Sequence, residues 1–177
     1  MNLEEKSIAR EYKFKGKIVN VRVDTVILPN GKSSFREVVE HPGAVAIVPI
    51  DSGENVFFVR QFRKACEKTI LEVPAGKLEA GENPIDCACR ELQEEIGMFP
   101  HKLDLLSVFY TSPGFSNELI YLYLARELQS FSIEKLDDEF LRIVKIPFAR
   151  AVEKSINGEF EDAKTLVGLL LARSRLQ

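Results

Sequence analysis

Three cysteines in 177 residues are too few for a disulfide scaffold, and an odd number also argues against one. The chain must therefore hold itself together by burying a core. Cys87 and Cys89, two positions apart, point to different faces of any helix and cannot form a compact metal knuckle. No apolar run approaches the roughly 18 residues that a membrane-spanning helix needs. The opening stretch MNLEEKSIAR is charged where a secretory leader would be apolar, so no membrane contact and a cytoplasmic location are expected. Positive charge is not in excess either. A formal net charge of −3 and the lack of a Lys/Arg cluster give no support to a nucleic-acid partner. Internal repeats, linkers and low-complexity segments are also missing. What is present, 45% hydrophobic and 29% charged residues, is the composition of a globular domain large enough to bury a real core.

Along the chain, residues 11–50 read as β structure. YKFKGKIVNVRVDTVIL alternates through Val19, Val21 and Val23, Pro29-Asn30-Gly31 signals a turn, and SFREVVEH returns as a second strand. AVAIVPI (44–50) is a continuous apolar run of strand length, which suits a strand buried on both faces. VFFVRQF (56–62) follows a polar turn and leads into Arg60-Gln61-Phe62-Arg63, two guanidinium groups close in sequence that could clamp an anion. ILEVPAGKLEAGE runs on to a helix start: Asn83 can cap with its side chain, and Pro84 sits at the first helical position, where its missing N–H costs nothing. Gly97 is a natural stop. Ile85, Ala88, Cys89, Leu92 and Ile96 recur at helical spacing and are expected to form the buried stripe, with Cys87 on the carboxylate side as a small space-filler.

Beyond the helix, Leu103–Thr111 and ELIYLYLARE (118–127) read as strands around a Ser112-Pro113-Gly114 loop. SFSIEKLDDEF (130–140) reads as an acidic loop and LRIVKIPF as a strand. A helix opening at Pro147 and ending near Gly158, and a closing amphipathic helix from Asp162 to Arg173, complete the order.

The stretch from Gly76 to Met98 carries the chemistry. At 100° per residue, Glu91, Glu94 and Glu95 fall within about 100° of one another on one side of the helix. Like charges three and four residues apart repel by about 0.2–0.5 kcal/mol per pair, and Arg90 is the one cation within the turn. A hard divalent ion would turn that repulsion into a ligand set, since Mg²⁺ prefers carboxylate oxygens and shares its shell with substrate phosphates.

Gly76, five residues, Glu82, seven residues, and then Arg90-Glu91-Leu92-Gln93-Glu94-Glu95-Ile96-Gly97-Met98 resembles the Nudix box at every defined position. The Glu72-Val73-Pro74-Ala75-Gly76 entry resembles the ADP-sugar branch, and Pro113 in its Ser-Pro-Gly setting resembles the mark of the ADP-ribose pyrophosphatases. The resemblance implies an α/β fold, a Nudix-type α/β/α sandwich around a mixed sheet. An N-terminal antiparallel hairpin or sheet (1–42) would precede a catalytic domain (43–177). It implies hydrolysis of the pyrophosphate of ADP-ribose, or a related ADP-sugar, to AMP and ribose 5-phosphate. Other family substrates (GDP-mannose, NADH, an oxidised nucleotide) and a non-catalytic ADP-ribose-binding module remain alternatives.

It further implies metal held by Glu91, Glu94, Glu95 and the Ala75 carbonyl, with Mg²⁺ as the ion and Mn²⁺ possible. Substrate contacts are expected from Arg36, Arg60, Arg63, Glu72, Pro113 and Gly114. Glu82, paired with Arg90, would brace the ligand helix. A general base is expected on the acidic loop, Glu139 with Asp137 as the alternative, alongside the catalytic Glu91 and Glu94. A homodimer is implied in which the N-terminal sheet reaches the neighbour's substrate site; a sheet that merely extends its own domain is the alternative.

Overall fold

The structure, a computed structural model, describes residues 2–131 and 140–177. The chain divides into two compact units, residues 1–43 with 109–119, and residues 44–108 with 120–177.

The first unit is built on a three-stranded antiparallel sheet, β1 (Lys6–Lys15), β2 (Asn20–Ile27) and β3 (Ser33–Glu40), in the order β1-β2-β3. The sequence pattern read from 11 to 28 as one strand is in fact two. Gly16 begins the reversal, its N–H donating to the Val19 carbonyl at 3.0 Å, and a Cβ there would lie 2.9 Å from that same oxygen. The second turn forms at Pro29-Asn30-Gly31, as its residues predict, closed by Leu28 and Lys32 at 2.8 Å. Every residue of β1 is exposed, including Ile8, Tyr12 and Phe14.

The second unit carries two sheets. One is mixed, in the order β7-β4-β9-β8: β7 (Ala75–Lys77) runs antiparallel to β4 (Ala44–Pro49), which runs parallel to β9 (Leu119–Ser130), with β8 (Met98–Tyr110) beyond. The other is antiparallel, β10 (Leu141–Pro147), β5 (Asn55–Arg63) and β6 (Lys68–Glu72). All six residues of β4 are buried, as a central strand covered on both faces requires.

Alternation along β4 and β5 divides the core. Val45, Ile47, Phe57 and Val59 face α1 (Pro84–Ile96), meeting Cys87, Ala88, Leu92 and Ile96. Phe58 points the other way and stacks on Phe160 with ring centroids 5.4 Å apart. Helices α2 (Phe148–Ile156) and α3 (Ala163–Leu176) pack together, and α3 also lies against β4. Among the described residues no helix is long and apolar enough to cross a membrane.

Helix α1 starts and stops where its sequence says. The Asn83 side chain accepts from Ile85 N–H at 2.9 Å, and Gly97 closes the helix in the left-handed region at φ 68°. The buried face differs from the expected one. Ile85 is half exposed and Cys89 only partly covered, whereas Cys87 is fully buried with Ala88 and Leu92, and Glu91 and Glu95 are buried with them. The helix is therefore rotated so that two of its glutamates point inward. A local hydrophobic stripe cannot predict that, because the reason lies on another strand.

Candidate active site

That strand is β7. Gly76 pairs with Val45 of β4, and the Glu91 carboxylate lies directly against its backbone. A Cβ at position 76 would fall 1.8 Å from Glu91 Cδ, inside the carboxylate itself. Glycine is thus required there so that an ionised side chain can approach a strand backbone. One residue earlier, the Ala75 N–H donates to Glu95 Oε2 at 3.0 Å. Strand β7 and helix α1 therefore meet through two carboxylates, both more than nine-tenths buried.

Arg90 organises the outer side. Its Nε and Nη2 donate to the two oxygens of Glu82 at 2.9 and 3.1 Å, and its Nη1 donates to Glu91 at 2.7 Å and Glu94 at 2.9 Å. Glu82 also accepts from the Glu79 N–H at 2.9 Å. The Arg90 guanidinium beside Glu82 holds its carboxyl at about 2, so it stays ionised throughout the physiological range. The same hydrogen bond raises Arg90 itself above its ordinary value. The expected Glu82–Arg90 brace is present, and one cation spans three glutamates. Cys87 touches this group through Arg90 Nη2 at 3.3 Å, but burial pushes its thiol up to about 12, which leaves it inert at neutral pH.

On the sheet side, Glu72 is almost wholly buried and accepts a two-pronged hydrogen bond from Arg63, Nε at 2.7 Å and Nη2 at 2.9 Å. Lys164, at the start of α3, donates to the same carboxylate. Burial opposes the charge on Glu72, but its hydrogen bonds and charge contacts with Arg63 and Lys164 outweigh this and hold its carboxyl below the usual value. A depressed folded-state value stabilises the protein above the unfolded value of 4.5, and the gain is lost as pH falls through the folded value. Glu72→Gln is expected to lose about 1–3 kcal/mol at pH 7, since it removes the counter-ion of Arg63 and leaves Lys164 with Asp162 alone. In urea titrations the gap between variant and wild type should close on acidification below 4.5. A constant gap from pH 7 to pH 3 would contradict the assignment.

Arg60 and Arg63 do not act side by side. Three positions apart on an extended strand, they point to opposite faces. Arg60 lines a separate cavity of about 320 Å³ with Leu71, Val144, Ile146 and Phe160, and its cross-strand neighbour is Arg142. The expectation of a paired clamp is corrected on that geometry.

Arg36, Pro113 and Gly114 belong to the first unit. Arg36 donates from Nε to Glu5 at 2.7 Å and from Nη1 to the Phe35 carbonyl at 2.9 Å. Pro113 and Gly114 sit in a turn closed by Phe115 and Ser116 N–H donating to the Ser112 carbonyl, at 3.1 and 2.9 Å. Glu139 and Asp137 lie outside the described residues.

Sequence reasoning placed Asp162 at the start of the closing helix but missed Lys164 and Thr165. Asp162 caps α3 by accepting from Thr165 N–H at 3.0 Å and Oγ1 at 2.5 Å, and Thr165 Oγ1 in turn accepts from Val73 N–H at 2.9 Å. The cap was legible as Asp-x-x-Thr before an apolar helix. Its partner Val73, in the link between β6 and β7, was not.

Among the described residues no three acidic, histidine or cysteine side chains converge at metal-ligand distance. Arg90 engages Glu91 and Glu94, and the Ala75 N–H engages Glu95. The donor set nevertheless fits a hard divalent ion. It offers three carboxylates from one rigid helix beside a strand carbonyl, with Gly76 leaving room that any side chain would fill.

Fold and site together define a mixed α/β protein whose candidate chemistry is carried by a glutamate-bearing helix. The chain belongs to the Nudix family: the NUDIX domain matches residues 40–166, and the nucleoside diphosphate sugar hydrolase N-terminal domain matches residues 5–39. It is 46% identical to an ADP-ribose pyrophosphatase of Bacillus subtilis, over 93% of this chain and 90% of that one. It is 43% identical to a methanol dehydrogenase activator of Bacillus methanolicus, over 94% and 91%. The crystal structure of an ADP compounds hydrolase superposes with a TM-score of 0.87 at 24% identity, covering 99% of this chain and 96% of that one, a likeness of fold.

Proposed function

We propose that the protein hydrolyses the pyrophosphate bond of ADP-ribose to AMP and ribose 5-phosphate. The observation that carries this is the seating of Glu91 against Gly76, with Glu95 on the Ala75 N–H and the Arg63–Glu72 pair at the strand leading into β7. The near full-length similarity to an ADP-ribose pyrophosphatase supports the choice of substrate.

Glu91, Glu94, Glu95 and the Ala75 carbonyl would hold Mg²⁺, or Mn²⁺ in its place. The ion supplies charge neutralisation on the non-bridging oxygens of the diphosphate. The protein's own groups do the rest. Arg90 and Glu82 keep the glutamates from turning away, acting as braces on the ligands. Arg63 offers a guanidinium to a phosphate oxygen, and Glu72 fixes its plane. Arg36, Pro113 and Gly114 supply further substrate contacts. The proton of the attacking water is taken by Glu139, or by Asp137, rather than by a carboxylate already committed to metal.

We also propose a homodimer, because β1 exposes Ile8, Tyr12 and Phe14 on an edge strand that a second copy could cover. A monomer by light scattering removes that part. The N-terminal region 1–42 then serves assembly and substrate contact, and the region 43–177 carries the catalytic helix. Three unpaired cysteines suit the reducing cytoplasm.

The test is a substrate panel with Mg²⁺: ADP-ribose, GDP-mannose, NADH and an oxidised nucleoside triphosphate. ADP-ribose is expected to give the highest kcat/KM, with AMP and ribose 5-phosphate as products. A higher value for another member reassigns the substrate. Binding of ADP-ribose without turnover identifies a silent module.

A further inference from the structure

The reaction described above accounts for Glu72 and Arg63 but not for the lysine bound to them. Lys164 Nζ donates to Glu72, and at 2.9 Å to Asp162 Oδ1, so it is held from two sides. Its side chain is only 15% exposed, against 40% for Arg63. A lysine so covered is not a solvated surface charge.

We propose that Lys164 is a positioning residue for the substrate diphosphate, acting through Glu72 on Arg63. The inference rests on the reading of Arg63 as an anion contact. Glu72 is a single negative charge between two cations, and its Oε2 is shared by Arg63 Nη2 and Lys164. Arg63 is the more open of the two, and its Nη1 makes no hydrogen bond among the described residues. Its charge is coupled to Glu72 first, and also to Glu95 on the ligand helix and to Asp162.

Were Arg63 the sole partner of Glu72, the pair would be neutral as seen from the site. Lys164 and Asp162 add a second cation and a second anion, so the cluster is balanced. Without the lysine two carboxylates would stand beside one guanidinium, and the field at Arg63 would turn against a dianionic diphosphate. Asp162 holds the lysine in place because it is fixed as the cap of α3, with Thr165 on its other oxygen. The helix that closes the chain is thereby wired to the substrate side of the sheet.

The test is steady-state hydrolysis of ADP-ribose by the full chain with Mg²⁺, comparing Lys164→Met, Lys164→Arg, Arg63→Gln and the double variant, each with its melting temperature. Lys164→Met should raise KM about tenfold with kcat within about threefold of wild type, within the range of coupled charge networks. Lys164→Arg should restore KM. In the Arg63→Gln background, Lys164→Met should change KM less than about twofold, because the group it acts through is gone.

An unchanged KM in Lys164→Met overturns the inference, and so does the same tenfold rise in both backgrounds. A purely structural lysine would lower the melting temperature without moving KM. If Lys164→Met does not fold, Lys164→Gln, which keeps a hydrogen-bond donor but not the charge, carries the same comparison. If Arg63→Gln itself leaves KM unchanged, the reading of Arg63 fails and takes the inference with it. That outcome is distinct from one in which Arg63 matters and Lys164 does not.

Discussion

Glu95→Gln is expected to lower kcat more than about 100-fold while the protein stays folded, because loss of a group one shell further from a metal already costs 10–100-fold. The substitution keeps the length of the side chain and its helix propensity. It also keeps a carbonyl oxygen able to accept from the Ala75 N–H, the 3.0 Å bond that fixes Glu95 against β7. The change is therefore close to a pure loss of charge at a position only 7% exposed. The effect should be steepest at limiting Mg²⁺, where a weakened ligand set binds the ion poorly, and should shrink as Mg²⁺ is raised. Circular dichroism and the melting temperature report folding independently. Normal turnover by a well-folded Glu95→Gln protein at limiting Mg²⁺ would end the assignment of this helix as a metal platform.

Glu139→Gln carries the second large expectation, a fall in kcat of about 10²–10⁴-fold, the usual contribution of a positioned general base. KM and the Mg²⁺ requirement should stay near wild type, since the group acts only as the water loses its proton. The glutamates of the site are already engaged by other groups. Glu91 and Glu94 both accept from Arg90, Glu95 accepts from Ala75, and Glu82 is held ionised at about 2 by Arg90. A carboxylate with so depressed a value is a poor proton acceptor. Asp137→Asn removes the same charge two residues away and serves as the control. If Asp137→Asn is damaging and Glu139→Gln mild, the base lies on the loop in a different register. If both are mild, even together, the base lies among the glutamates of α1.

Much of this site is local and was legible as such. Asn83, Pro84 and Gly97 bound α1 by hydrogen bonding and backbone sterics within a few residues, and the observed cap and stop fall on them. The spacing from Gly76 to Glu95 marks the chemistry because the glutamates share one rigid helix. The Glu82–Arg90 brace spans less than three helical turns of chain and was also within reach.

Other features were not. Cys87, not Cys89, enters the core, because α1 is rotated to bring Glu91 and Glu95 inward. That rotation is set by a glycine on β7, which is placed by pairing with β4. Arg60 and Arg63 look like one clamp in sequence. Once β5 is extended they are divided between its faces, one beside Phe160 and the other on Glu72. Lys164 stands 92 positions from Glu72 and carries no mark of its partner. By itself the sequence determined where elements begin and end and which helix bears the carboxylates, since those depend on contacts a few residues apart. Tertiary structure decided which carboxylates are buried, which arginine meets Glu72 and which lysine stands behind it. Those depend on strand register and on how closely two backbones approach, and neither is encoded in any short segment.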